Sequence, residues 1–454
     1  MRIAVIGAGV VGVTTAFELG ADGHAVTVFE RHATVGAEAS FGHAGLMAPG
    51  NVAPWAAPGM PRKVISRLFG SHPPLRLRGA VDASTLAWLW RWWRACRPLP
   101  HRLNRARMVR LAQFSRDRLD ALTNRLHLEF ESAQGCLIVL RSPRELAIAQ
   151  PGLQALAQLG VAVEVVDGDA CRRIEPGLNP ATPLHAGIHC KDDRVGNCRQ
   201  FAHLLRREAE RAGVRFVFDT TVERIDPGPQ PELVVRRSPS GFEDRDSARG
   251  TRGHDRTDIG PREGDDGHRS FDAVVVCNAL GALPLLRPLG VRLPLLAVHG
   301  CSLTAPLRRD DVHMHLEPRA GVVDARHEVA ISRLGNRVRV AGGAEIGGDA
   351  ERSHPATAAM LDKVLDDWFP GVVNYAQAQR WKGARPMLPD GPPVLGPSGR
   401  EGVWLNVGHG DSGWALACGS ARLVADAIVG RPTPIGIDGL GIARLRGGSL
   451  LAAA

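Results

Sequence analysis

The chain has 454 residues and a formal net charge of +9, and 44% of its residues are hydrophobic and 23% charged. This composition is typical of a globular protein, and the length exceeds what one hydrophobic core organises, so we expect two or three domains. The positive charge comes from arginines scattered along the chain, without the interleaved aromatic residues that a nucleic-acid stacking surface requires. We therefore expect no nucleic-acid partner.

The cysteines and the apolar segments indicate where in the cell the protein is located. The eight cysteines lie far apart and form no C-x-x-C pair, so we predict neither a zinc site nor a disulfide scaffold. The chain starts directly with an apolar strand rather than with a secretory signal peptide. No stretch approaches the roughly 18 unbroken apolar residues of a membrane-spanning helix. We expect a cytoplasmic protein whose membrane contact, if it has one, is peripheral and on the inner face.

A glycine turn, G-A-G-V-V-G, lies between a predicted strand at 2–6 and a predicted helix at 13–19. Its first two glycines permit a tight turn close to a pyrophosphate, and the third lets helix and strand pack closely. Eighteen residues further on, an acidic residue ends a second predicted strand, where a carboxylate can bind ribose hydroxyls. The unit therefore predicts a bound dinucleotide. Its candidate cofactor-binding residues are Gly7, Gly9, Val10, Val11, Gly12 and Glu30.

The middle of the chain alternates predicted helices and strands. Residues 39–61 contain too many Gly, Pro and Ala residues for regular structure. Periodicity then predicts helices at 103–126, 151–159, 199–212 and 356–369, and strands at 136–140, 214–218, 221–225 and 271–277. Residues 227–270 have few apolar side chains, which predicts a flexible surface insertion.

Near the C-terminus, a strand at 403–406 is followed by the turn N-V-G-H-G and by a helix at 413–429. Amide groups of such a turn can bind a flavin carbonyl or ribityl hydroxyl, and the helix N-terminus favours the negative charge of a reduced flavin. A nicotinamide enzyme has no need of this closing segment. The strand at 271–277, which runs into N-A-L-G, is similar to the strand and turn that flavoproteins place beside ADP. Both features favour FAD over NAD.

The segment W-L-W-R-W-W-R at 88–94 has the spacing of an amphipathic helix. Tryptophan with arginine is a combination typical of helices at membrane surfaces. The alternative is a helix that packs its tryptophans into the second domain. Both interpretations stay open at this point.

Longer segments carry a family resemblance. Together with the glycine turns, residues 40–61, 107–122, 385–391 and 405–419 resemble the small subunit of the bacterial D-amino-acid dehydrogenases, within the D-amino-acid oxidase superfamily of FAD-dependent oxidoreductases. The resemblance covers nearly the whole chain except the segment at about 227–270. It implies an α/β fold, with a Rossmann-like FAD-binding domain and a second, sheet-based substrate domain. We assign 1–50, 152–290 and 382–440 to the FAD-binding domain, and 51–151 and 291–381 to the substrate domain.

The resemblance also implies roles for individual residues. Arg31 and Ser40 would lie along the pyrophosphate and ribityl chain, and the backbone of Val222 would contact the adenine. Arg385 would bind the substrate carboxylate, because a guanidinium offers two parallel charge-assisted hydrogen bonds. The alternative for Arg385 is a structural ion pair with Asp390. Further cofactor-binding candidates are Gly281, Gly408, Gly410, Gly413 and Trp414, and the other candidate catalytic residues are His43 and His409.

The implied reaction is the oxidative deamination of a D-amino acid to a 2-oxo acid and ammonia, with electrons passed to a quinone or another carrier. The chain departs from the family at Cys301, where a tyrosine is common, near His327, where another aromatic residue is usual, and at His43, where asparagine is usual. A D-hydroxyproline-type substrate, or one with a second carboxylate, is therefore an alternative. A glycine- or sarcosine-type oxidase that uses oxygen is another. A flavin-dependent tRNA-modifying protein is a remote one, supported only by the charge.

Alternating residues His313, Met314, His315 and Glu317 would place polar side chains on one face of a strand. A metal site there is conceivable, but the solvent-exposed face of a sheet explains the pattern better. We therefore expect no metal ion.

Overall fold

The computed structural model describes residues 1–67, 75–78, 82–237, 267–308, 316–348 and 352–445. The α-helices in these ranges are α1 (Val10–Ala21), α2 (Met60–Arg67), α3 (Ala83–Ala95), α4 (Pro98–Leu126), α5 (Pro143–Gln158), α6 (Gly168–Ile174), α7 (Cys198–Arg211), α8 (Ala282–Leu286), α9 (Pro355–Trp368) and α10 (Gly413–Ile428). The strands are β1 (Arg2–Ile6), β2 (Ala25–Phe29), β3 (Leu46–Met47), β4 (Arg76–Arg78), β5 (Ser132–Leu140), β6 (Glu164–Asp167), β7 (Ala186–Gly196), β8 (Arg215–Val217), β9 (Thr220–Asp226), β10 (Glu232–Arg237), β11 (His268–Ser270), β12 (Ala273–Val276), β13 (Leu296–Pro306), β14 (Gly321–Asp324), β15 (Val329–Leu334), β16 (Arg337–Gly347), β17 (Gln379–Met387), β18 (Val394–Arg400) and β19 (Val403–Val407).

A six-stranded sheet in the order β18-β19-β12-β1-β2-β8 carries the N-terminal glycine turn. All of its neighbouring strands pair in parallel except β18, which pairs antiparallel with β19. Ile3 and Val5 of β1 face a core formed with α1, α7 and α10, whereas Ala4 and Ile6 face the three-stranded sheet β11-β10-β9. A parallel strand covered on both faces must be apolar throughout, which explains the sequence of β1.

A ten-stranded sheet forms the second layer. Its main order is β17-β13-β16-β15-β14-β5-β7-β3, with β4 paired to β16 and β6 paired to β7. Helix α9 packs on this sheet through Leu361, Val364 and Trp368, all of them fully buried. Helix α3 packs on the same sheet near β13 and β17, through Trp88 and Trp92. The fold is therefore α/β with two main sheets, as predicted.

Sheet membership can be compared with the proposed domain boundaries. The strands within 1–29 and 394–407 lie in the six-stranded sheet, whereas β6 and β7, which fall inside the segment 152–290, pair in the ten-stranded sheet. Strand β7 is the antiparallel partner of β5, about 50 residues earlier in the chain. Pairing between such distant segments leaves no local signal in the sequence.

Several predicted elements are longer in the structure. Helix α4 begins at Pro98 rather than at 103, because proline is well tolerated in the first turn. Helix α5 begins at Pro143 rather than at 151, because Ser142 caps it and accepts the amide of Glu145. The expectation of an irregular insertion at 227–270 is wrong at its two ends, where β10 and β11 pair with each other. Residues 238–266 lie outside the described residues.

Two other expectations concern side chains. All eight cysteines are buried and unpaired, as expected for reduced thiols. His313, Met314 and His315 lie outside the described residues. Within the described part of the chain, no group of three or more His, Cys, Asp or Glu residues could hold a metal ion. Nor does this part contain a helix that is long and apolar enough to cross a membrane.

Candidate active site

The N-terminal glycine turn meets the ends of β2 and β12. The carboxylate of Glu30, which is 8% exposed, accepts the amide of Ala8 at 2.6 Å and that of His32 at 2.9 Å. A Cβ atom at Gly12 would lie 1.9 Å from the carbonyl oxygen of Gly7, so only glycine allows this approach of helix to strand. The turn and the acidic residue are thus held against each other, as the spacing in the sequence indicates.

Other predicted cofactor residues surround the junction of the N-terminal glycine turn with the ends of β2 and β12, which we call the corner. The hydroxyl of Ser40 accepts the amide of Val10, the first residue of α1, at 3.0 Å. Val222 is buried in β9, whose first residue, Thr220, donates its amide to the carbonyl of Glu30 at 2.9 Å. The side chain of Arg31 pairs with Glu38 at the surface.

The corner has the polar groups that the ADP part of FAD requires. Gly9, the N-cap residue of α1, has no side chain to cap the helix, so the amides of Val11 and Gly12 at its positive end can bind an anion, beside the amide of Val10 that Ser40 accepts. The side-chain Oδ1 of Asn278, after β12, is buried without a hydrogen-bond partner among the described residues. Gly281 lies in the short 3-10 helix that follows. A carboxylate has about four acceptor positions, so Glu30 can still accept ribose hydroxyls.

The second glycine turn joins β19 to α10 and provides the predicted flavin end. Gly408 and Gly410 have φ angles of 81° and 60°, and a Cβ atom at Gly408 would lie 2.4 Å from Leu388. Gly413 begins α10, and no side-chain hydrogen bond caps this helix. Trp414 packs against Phe130 and Phe201, and its Nε1 is buried without a partner among the described residues. These groups fit a polar, partly anionic ring system.

His43 joins the loop before β3 to the loop before α10. The amide of Gly45 donates to its Nδ1 at 3.1 Å, so the ring proton lies on Nε2, which is 3.2 Å from the carbonyl oxygen of Asp411. Desolvation, with smaller contributions from the charges of Arg385 and Arg339, lowers the pKa of His43 to about 4. The ring is therefore neutral at neutral pH and both of its nitrogens are engaged.

His409 is engaged in the same way, but by α10. Its Nε2 lies 3.0 Å from the hydroxyl of Ser420, which itself donates to the carbonyl of Ala417. The Nε2 proton of His409 therefore donates to Ser420. Burial lowers the pKa of His409 to about 3. The imidazole of His409 therefore connects the second glycine turn to α10.

A cavity of about 450 Å³ lies at the junction of the N-terminus of α10, residues 51–60 and the ten-stranded sheet. Arg385 of β17 lines this cavity, and its Nη1 donates to the carbonyl of Gly343 at 3.0 Å. Within the described residues no carboxylate pairs with Arg385. Asp390, its predicted alternative partner, forms an ion pair with Arg444 instead, at 2.8 Å.

The structure brings Arg385 and His43 together around this cavity, whereas His409 faces α10. It also adds residues that the sequence analysis missed. Arg339 is 6% exposed and donates to the carbonyl of His43 at 3.0 Å, and burial lowers its pKa to about 10. A basic residue in an otherwise buried strand is the one signal that could have singled it out.

The fold and the site define a nucleotide-binding α/β protein with two glycine turns. One turn lies at the corner, the other joins β19 to α10, and the cavity lies beside the second turn. The chain belongs to the family described as FAD dependent oxidoreductase, whose sequence model matches residues 2–427. The protein is therefore an FAD-dependent oxidoreductase. The predicted family, fold class and cofactor are confirmed, whereas the roles of the single site residues stay predictions.

Comparison with individual proteins gives close relatives over nearly the whole length. The chain is 40% identical to a D-amino acid dehydrogenase of Cereibacter sphaeroides, over 98% of this chain and 95% of the relative. It is 38% identical to a D-amino acid dehydrogenase of Rhizorhabdus wittichii, over 98% and 100% of the two chains. Among solved structures, glycine oxidase from Geobacillus kaustophilus has the same fold, with a TM-score of 0.72 at 20% identity, covering 98% of this chain and 100% of that one.

Proposed function

We propose that the protein is a dehydrogenase that oxidises D-amino acids to 2-oxo acids and ammonia. The observation that carries this proposal is Arg385, a cation without a carboxylate partner among the described residues, in a cavity whose walls are mostly apolar. Such a cation fits the α-carboxylate of an amino acid. The names of the relatives that match over nearly the whole chain support the D configuration.

The residues of the chain mainly bind and orient the substrate. Arg385 fixes the α-carboxylate through two parallel hydrogen bonds, and apolar side chains such as Val298 and Met387 exclude water. FAD, when bound, would supply the two-electron redox chemistry, as acceptor of the α-hydrogen with its electron pair, and a quinone or another carrier would receive the electrons. The amine gives a proton to solvent as the C=N bond forms, and water then replaces nitrogen to release ammonia. His43 offers no unbonded nitrogen, so positioning carries most of the catalysis.

FAD would be held by the corner described above. The open N-terminus of α1 would bind the pyrophosphate and Glu30 the ribose, with Ser40 beside them. The glycine turn at 408–410 and the N-terminus of α10 would hold the flavin and favour its negative charge on reduction.

Anaerobic mixing tests this proposal. The purified holoenzyme is mixed with D- and L-amino acids, D-hydroxyproline, sarcosine and glycine, and the visible absorbance of oxidised flavin is followed. We expect D-amino acids to bleach the flavin and their L-enantiomers to leave it unchanged. Bleaching by sarcosine or glycine alone would overturn the proposal in favour of an amine oxidase, and bleaching by D-hydroxyproline alone would favour a D-hydroxyproline dehydrogenase.

The electron acceptor is tested separately. With a quinone analogue under air, we expect reduced quinone to account for nearly all substrate consumed. Stoichiometric hydrogen peroxide would contradict the quinone and support an oxidase that uses oxygen.

We also propose that helix α3 meets a membrane surface, where a quinone would be found. Leu86, Trp90 and Trp93, which we call the α3 outer face, are 59%, 55% and 53% exposed. The guanidinium of Arg94 lies 4.8 Å from the ring of Trp90, and that of Arg97 lies 5.8 Å from the ring of Trp93. Exposed indoles flanked by arginines suit the headgroup region of an anionic bilayer. Both interpretations of the W-L-W-R-W-W-R segment are thus supported, since Trp88 and Trp92 pack inward.

Vesicle sedimentation tests the membrane contact. Phosphatidylglycerol vesicles are mixed with the holoenzyme, with the double variant Trp90→Gln/Trp93→Gln, and with Ile148→Gln as a control for an exposed apolar residue elsewhere, which is 70% exposed. We expect the double variant to lose most of its binding and the control to keep it. Equal binding by all three proteins would contradict the α3 outer face as the contact.

A further inference from the structure

Two opposite charges line the cavity without a partner of their own. Apart from histidines, the ionisable side chains of the lining are those of Arg326, Glu328, Arg385 and Asp411. Arg326 donates to Glu145 at 2.8 Å, and Glu328 pairs with Lys63 of α2. Among the described residues, the remaining cation, Arg385, and the remaining anion, Asp411, form no ion pair, either with each other or with another side chain. The cavity thus offers one charge of each sign to a ligand.

The turn that carries Asp411 is attached to the strand that carries Arg385. The amide of Gly410 donates to the carbonyl of Pro386 at 3.3 Å, so the neighbours of the two charged residues are bonded to each other. The imidazole of His43 is close to both. Its Nε2 lies 3.2 Å from the carbonyl oxygen of Asp411, and the charge of Arg385 contributes to lowering its pKa. The cation and the anion therefore belong to the same part of the cavity wall.

The carboxylate of Asp411 has acceptor positions left for a ligand. Its side chain is exposed, and its Oδ1 accepts the hydroxyl of Ser412 at 3.2 Å. A carboxylate has about four acceptor positions, so most of them stay available. The main-chain carbonyl of Asp411 already accepts the Nε2 of His43, and a carboxylate is the stronger acceptor for a cationic N–H group. A cationic nitrogen in this part of the cavity would therefore bind the side chain of Asp411.

The two charges fit a ligand that carries both signs. An amino acid is a zwitterion with its carboxylate and its ammonium group on one carbon atom, so it can give Arg385 and Asp411 an opposite charge each. A ligand with a single charge leaves one of the two residues without a partner. Asp411 directly follows the glycine turn at 408–410, which is the proposed flavin end. Since the α-carbon must reach the flavin, the nitrogen expected beside Asp411 is the one on that carbon.

We propose that the carboxylate of Asp411 binds the α-ammonium group of the substrate, while Arg385 binds the α-carboxylate. This inference rests on the proposed function. The two contacts recognise an amino acid by both of its charges, and they discriminate against carboxylic and 2-hydroxy acids with the same carbon skeleton. Because the contact is present in the bound substrate, its loss should appear mainly in KM.

Calorimetric titration of the holoenzyme tests the contact without turnover. The probes are 2-aminoisobutyrate, a zwitterion that has no α-hydrogen to lose, and isobutyrate, which lacks the ammonium group. We expect the wild type to bind 2-aminoisobutyrate roughly ten- to a hundredfold more tightly, because a hydrogen bond between charged groups is added. In Asp411→Asn this preference should fall to less than about threefold. The affinity for isobutyrate should stay the same or rise, because a negative charge has been removed from the cavity.

Three further variants serve as controls. Asp411→Glu keeps the charge and should retain part of the preference, whereas Asp411→Ser, a second uncharged variant, should lose it. Asp169→Asn should keep the wild-type preference, because Asp169 is an exposed aspartate in the first turn of α6 and is not among the lining residues. A folding defect would weaken the binding of both probes alike, and thermal unfolding identifies it.

Steady-state kinetics distinguish the α-ammonium group from a nitrogen in the substrate side chain. D-Alanine, D-norvaline and D-arginine are compared in the wild type and in Asp411→Asn. We expect KM to rise for all three substrates by a similar factor of roughly ten or more, with a smaller change in kcat. An effect confined to D-arginine would show that Asp411 binds the substrate side chain, and it would overturn the inference.

The inference and the proposed function can fail separately. If Asp411→Asn keeps the wild-type preference for 2-aminoisobutyrate, the ammonium site is overturned, whereas bleaching of the flavin by D-amino acids would still support the proposed function. If the preference depends on Asp411 but no D-amino acid bleaches the flavin, the proposed reaction fails and the ammonium site stands.

Discussion

The position of the Arg385 side chain depends on neighbouring glycine residues, which have no side chain of their own. A Cβ atom at Gly300 of β13 would lie 2.1 Å from Nη2 of Arg385, so the guanidinium occupies the space above this glycine. Its hydrogen bond to the carbonyl of Gly343 uses one of its five N–H groups and leaves donors for a ligand. Because a guanidinium presents its donors as a rigid fork, it orients a carboxylate as well as attracting it.

Arg385→Lys should therefore raise KM strongly even though it keeps the charge. We expect kcat/KM for D-amino acids to fall by roughly a hundredfold or more, since two charge-assisted hydrogen bonds become one without fixed direction. Steady-state kinetics measure the change. Arg287→Gln, at an exposed position after α8, is the matched control and should leave both constants unchanged. An unchanged KM in Arg385→Lys would show that Arg385 does not bind the carboxylate.

The pKa of His409 gives a prediction for acid stability. The folded protein holds this pKa near 3, whereas the ordinary value is 6.5. Between these values the unfolded chain binds the extra proton, so stability is full above about pH 6.5 and falls as the pH is lowered. Between pH 6.5 and 5 the loss should be about 2 kcal/mol for this residue.

His409→Gln should flatten this dependence. The amide can still donate to Ser420 but does not titrate, so the fall in Tm between pH 6.5 and 5 should become smaller. Thermal unfolding at several pH values measures it. A pH dependence as steep as that of the wild type would show that other groups are responsible.

At the scale of elements, the turn before α1 depends on contact between the helix and the strand before it. Gly12→Ala would place a Cβ atom 1.9 Å from the carbonyl oxygen of Gly7, so helix and strand must separate. We expect the purified variant to retain much less FAD, measured as the ratio of flavin to protein absorbance. Gly228→Ala, whose Cβ atom would have no neighbour within 4 Å, should retain FAD fully. Full retention in Gly12→Ala would contradict the proposed pyrophosphate site.

The same scale shows what the sequence could predict. The N-terminal strand, turn and helix could be predicted because the residues that define them lie within 30 positions of one another, and β1 pairs with β2 while Glu30 accepts the amide of Ala8. By contrast, β10 and β11 are stable because they pair across a long gap in sequence, which composition cannot show. The position of His327 depends on Asp324, which is itself bound by Arg141 and Trp368. Such contacts arise only when several distant segments have folded together.

At the scale of the whole molecule, one buried carboxylate joins three helices. Glu18 of α1 is fully buried, and Arg118 of α4 binds both of its oxygens at 2.6 Å. Arg422 of α10 donates to the same carboxylate at 2.9 Å. The network therefore connects residues from near the start, the first third and the last tenth of the chain.

Glu18→Ala should destabilise the protein by about 3–5 kcal/mol, because it leaves the buried Arg422 and the half-buried Arg118 without this partner. Denaturant unfolding followed by circular dichroism measures the loss. Glu210→Ala, which removes an exposed pair with Arg206 four residues earlier on α7, should cost less than about 1 kcal/mol. Similar losses in both variants would show that burial of the network is not what makes it stabilising.

The pairing of β12 with both β1 and β19 has a consequence for biosynthesis. The proposed ADP corner contains residues 7–12, whereas the proposed flavin end contains residue 413, about 400 residues later. At roughly 5–20 residues per second, the ribosome needs about 20–80 seconds to make the intervening chain. Through that interval the first glycine turn has emerged without its parallel neighbour β12 or the helix α10 that covers it. The complete site therefore forms only after β12, β19 and α10 have been made, so the order of synthesis places cofactor loading late in the production of the chain.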